Sequence, residues 1–146
     1  MQERDRVRGE LLRCISAAAE EARMIRECPQ PDEAFLRTHL RKYILAKFML
    51  PEGSVETEGI RDLVEASLAR MMRAAPELVE ELDTARSCAG ATSAMVKKAL
   101  LFQAMERDLQ LELPAREMAA AADIPALARL IRQCKAEKDP GTGQTR

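Results

Sequence analysis

Apolar side chains recur three and four residues apart along residues 3–27: Val7, Leu11, Cys14 with Ile15, Ala18, Ala22 and Ile25. That spacing gathers them on one face of a helix, while Arg and Glu fill the other. The stretch Cys-Pro-Gln-Pro-Asp at 28–32 stops the pattern, because proline cannot continue a helix and Asp32 can cap a new one. A second helix is predicted to run to about Leu50, with Phe35, Leu36, Leu40, Tyr43, Ile44, Ala46 and Met49 as its apolar positions. So short a connection predicts an antiparallel hairpin.

Residues 51–59 (PEGSVETEG) combine proline, two glycines and several turn formers, and read as the boundary between an N-terminal hairpin at 1–52 and a second unit at 57–136. A third helix is predicted over 58–75 from Ile60, Leu63, Val64, Leu68, Met71 and Met72. Pro76 suits the first turn of a fourth segment at 76–87, since a missing donor costs little there. A loop of small residues follows at 88–93, in which Thr92 or Ser93 can cap a helix reaching about Leu111. Two short helices are predicted near 115–121 and 124–135, and the polar Pro/Gly-containing end, 137–146, reads as a disordered tail. No run pairs β-branched residues with strict alternation, so the expected class is all-α.

Composition agrees with that class: the chain has no Trp, one Tyr and three Phe, and is rich in residues that lose little freedom in a helix. The formal net charge of −1 supplies no surplus for binding a nucleic-acid backbone. Cys14, Cys28, Cys88 and Cys134 are scattered with no C-x-x-C pair, and read as reduced thiols of a cytoplasmic protein. With His39 the only histidine, the chain offers no zinc-ligand spacing. No apolar run is long enough to span a membrane. His39 has no Asp or Cys at helical spacing that would make a nucleophilic dyad, so no enzyme activity is expected.

The segment AMERDLQLELPAREMAAAADIPALARLI, residues 104–131, resembles the acyl carrier and peptidyl carrier protein family. Met105-Glu106 stands for that family's Leu-Glu, Leu113-Pro114 for the stop of its second helix, and Asp123-Ile124 for the start of its last. Upstream, Gly90-Ala91-Thr92-Ser93 resembles the Gly-Ala-Asp-Ser that closes the family's long first loop. The resemblance covers about residues 57–135 and implies a four-helix carrier bundle with the hairpin as an extension. It implies that Ser93 carries 4′-phosphopantetheine, that Gly90, Ala91 and Thr92 shape the approach to it, and that Thr92, Met95, Lys98 and Met105 meet partners. Those partners would be biosynthetic enzymes or a phosphopantetheinyl transferase. A phosphodiester at a helix start meets unpaired N–H groups and the positive end of the dipole, which is the physical logic of such a site.

The chain departs from the family at the attachment point: Thr92 replaces Asp, Ala94 replaces Leu, and Lys97 and Lys98 replace an acidic surface. Two versions therefore stand, a carrier modified at Ser93 and a carrier-derived partner-binding module without an arm. Read without the family, Ser93 is a plain helix cap and Met71-Met72 ordinary core. The cations Arg37, Arg41, Lys42 and Lys47 could take phosphate or an acidic partner, or simply be solvated. The alternative function is a helix-turn-helix DNA-binding regulator over 81–101, although Arg86 sits where that motif wants a small residue. The apolar stripe of the first helix could pack within the chain, the expected outcome, or self-associate as a coiled coil.

Overall fold

The computed structural model describes residues 2–74 and 93–138. Among these residues it is all-helical: α1 (Gln2–Glu27), α2 (Glu33–Lys47), α3 (Ile60–Ala74), α4 (Ser93–Leu109), α5 (Ala115–Ala120) and α6 (Ile124–Lys138). The fourth segment expected at 76–87 and residues 139–146 of the expected tail lie outside the described residues; the tail's first two residues, 137 and 138, belong to α6.

Helices α1 and α2 form the expected hairpin. Asp32 caps α2, its carboxylate accepting from Phe35 N at 2.8 Å. Glu21 of α1 reaches His39 of α2, and Ala18, Ala22 and Ile25 bury against the second helix's apolar face. Helix α2 stops short of Leu50 because Met49 takes a positive φ of 55°. Leu50 N then bonds back to Leu45 O at 2.8 Å.

The connection 51–59 turns at Gly53, whose φ of +84° suits the third position of a type II turn, and Ser54 N returns to Pro51 O at 3.0 Å. Arg41 of α2 then holds the strip down, donating to Val55 O at 2.6 Å and Thr57 O at 2.8 Å. At its end the strip pairs with the chain before α6. Ile60 N donates to Ala122 O and Ile124 N to Glu58 O, both at 2.9 Å, so α3 and α6 start side by side. Ile60 and Ile124, the first residues of the two helices, are both buried.

The C-terminal signals operate as read. Helix α4 ends at Leu109 with Gln110 at φ 55°, and Glu106 accepts from Leu113 N at 3.0 Å, folding the Leu-Glu-Leu-Pro stretch back. Asp123 caps α6 through Ala126 N at 2.9 Å, and Pro125 occupies the first turn, where it forfeits no bond.

Helix α6 buries Leu127, Ala128, Leu130, Ile131 and Cys134, and its principal neighbour is α2. One hydrophobic cluster runs from Ala18 and Ile25 through Leu36, Tyr43 and Ile44 to Ile60, Met105, Leu113 and Ile131. The expected division at 1–52 and 57–136 is therefore a loop in the sequence and not a break in the core. The reason is that α6 spends its apolar face on the hairpin.

Candidate functional site

Ser93 is the first residue of α4 and is only 5 % exposed. Gly90, Ala91 and Thr92 lie outside the described residues. Of the expected partner-facing residues, Met95 is 58 % exposed and Lys98 is half-buried, its ammonium 5.7 Å from the centre of the Phe102 ring. Met105 does not belong with them: it is fully buried. It shares the stripe Leu101, Met105, Leu109, spaced four apart, which faces the core. The Leu-Glu correspondence had put Met105 on a surface; packing puts it inside.

Lys97 also turns inward. Its ammonium lies 3.5 Å from Met71 Sδ and 5.2 Å from the centre of the Phe48 ring, and burial lowers its pKa from the usual lysine value. A lysine that meets a phosphate backbone points outward, and Lys97 points inward. Met71 is half-buried in this contact, whereas Met72 beside it is exposed.

The cations of α2 are largely consumed within the fold. Arg37 pairs with Glu58 at 3.0 Å, Arg41 holds the connecting strip, and Lys47 lies 3.3 Å from Asp108. Lys42 stays exposed between two open grooves. One, of about 390 Å³, is lined by Arg13, Cys14, Glu21, Lys42, Leu45 and Met49 among others; the other, of about 340 Å³, by Arg37, Arg41, Lys42, Glu52 and Glu58 among others. Both hold carboxylates next to their cations, so neither presents a single sign of charge to a ligand.

Two polar clusters escaped the sequence reading. His39 Nδ1 lies 2.6 Å from Glu21 Oε1, both groups largely buried, with the Phe35 ring 4.3 Å from the imidazole. In the sequence His39 has no Asp or Cys at helical spacing; its partner is a Glu on the other helix of the hairpin, out of reach of any spacing rule. Asp108 is the second. Its carboxylate accepts from Tyr43 at 2.8 Å and Arg107 at 3.0 Å, and its carbonyl from Arg26 at 2.8 Å. Both clusters tie helices together.

Apolar exposure is also concentrated on a few helices. The large apolar side chains that stand exposed among the described residues are Val7, Leu11, Leu12 and Ile15 of α1, Met72 of α3, and Met95 and Leu100 of α4. They gather at one end. Arg70 binds Glu10 at 2.6 Å, joining α3 to α1, and the Lys97–Met71 contact joins α4 to α3. The stripe that α1 buries through Ala18, Ala22 and Ile25 continues outward as Ile15, Leu11 and Val7.

Set beside known proteins, the chain matches no family, no curated protein and no solved structure.

The remaining groups bound the chemistry further. Cys14, Cys28 and Cys134 form no disulfide, and burial raises the thiol pKa of Cys14 and Cys134, which makes them poor nucleophiles. Cys88 lies outside the described residues. Among the described residues no three His, Cys, Asp or Glu are placed to hold a metal, and no helix is long and apolar enough to cross a membrane.

Proposed function

We propose that this chain is a non-catalytic helical module that binds a protein partner, built on a carrier-like arrangement of α3 to α6 and working without a phosphopantetheine arm. The observation that carries it is the apolar face of α1, which runs past the edge of the core with Val7, Leu11, Leu12 and Ile15 between 41 % and 58 % exposed. An apolar helix face that no described helix covers is the ordinary signature of a docking surface. The partner's setting, by the carrier resemblance, is a biosynthetic assembly.

Between the two carrier versions, the burial of Ser93 favours the armless one. A transferase must bring the serine hydroxyl in line with the pyrophosphate of coenzyme A, and a side chain 5 % exposed does not offer that approach. The inward turn of Lys97 weighs against the DNA-binding alternative.

The test is intact mass. Incubated with coenzyme A, magnesium and a broad-specificity phosphopantetheinyl transferase, the protein is expected to keep its mass. A gain of one phosphopantetheine that vanishes in Ser93→Ala overturns the armless reading and restores the carrier.

A further inference from the structure

We draw no further inference here: the strongest candidate, the exposed apolar face of α1 at Val7, Leu11, Leu12 and Ile15, belongs to the surface already described, and nothing in the structure shows which occupant covers it.

Discussion

Asp108 binds through its carboxylate to Tyr43, Lys47 and Arg107, and through its carbonyl to Arg26. Burial by itself would raise the pKa of that carboxyl. The hydrogen bonds from Arg107 and Tyr43, with the Lys47 ammonium, outweigh burial and lower it. Tyr43 moves upward, first by burial and then by its bond to the carboxylate. The signs of the two pH effects follow. A depressed carboxyl contributes stability that is present above its unfolded value of about 3.9 and lost as the pH falls through the folded one. A raised phenol contributes stability that is present below its unfolded value of about 10 and lost as the pH rises above it. Denaturant titrations against pH are expected to show both losses, the acid one reduced in Asp108→Asn and the alkaline one in Tyr43→Phe. A wild-type alkaline limb that Tyr43→Phe leaves unchanged would show the phenol to be uninvolved. No spacing rule exposes this cluster, because Tyr43 and Asp108 are 65 residues apart. Asp123, by contrast, was legible as a cap, since its acceptor and the Ala126 donor are three residues apart.

Helix starts and stops are local events, and the chain announces most of them. Asp32 and Asp123 cap where they were expected to, and the Pro-rich break and the Leu-Glu-Leu-Pro stop fall at or near the observed ends. The ends of α2 and α4 fall about three and about two residues before the expected ones because Met49 and Gln110 reverse the chain in the left-handed region, where glycine is the usual signal. Gln110→Gly removes the Cβ strain of roughly 1–2 kcal/mol. It also adds unfolded-state freedom of roughly 0.4–1 kcal/mol. A net stabilisation of at most about 1.6 kcal/mol is therefore expected in chemical denaturation; clear destabilisation would mean that the Gln110 side chain holds the turn. For α6, the decisive contact is with α2. Ile131→Ala should cost about 2–5 kcal/mol, the range for truncating a buried aliphatic side chain. A cost below about 1 kcal/mol would show that α6 is loosely docked.

At the scale of the molecule, one core crosses the loop at 51–59, which has a consequence for dissection. Residues 57–138 expressed alone would uncover Leu127, Ile131 and Ile124 on the side that α2 now covers. That fragment is expected to lose cooperative thermal unfolding and amide dispersion, while the full chain keeps both. A fragment that folds cooperatively would make the hairpin an accessory and residues 57–138 a domain of their own. The same view explains the cations of α2. Read along the helix, Arg37, Arg41 and Lys47 are a basic face; in the folded chain, Glu58, two backbone carbonyls and Asp108 have claimed them.

The sequence by itself determined the helical class, the hairpin, the caps of α2 and α6 and the stop after α4, because each depends on neighbours within a turn or two. The tertiary structure alone decided that Met105 and Ser93 are inside, that Lys97 turns toward Phe48 and Met71, and that α6 lies on α2. It also decided that the stripe of α1 is covered at Ala18, Ala22 and Ile25 and open at Val7, Leu11 and Ile15. The period of that stripe is the same along its whole length. Whether each turn of it is core or surface depends on where the neighbouring helices end, and that is not written in the period.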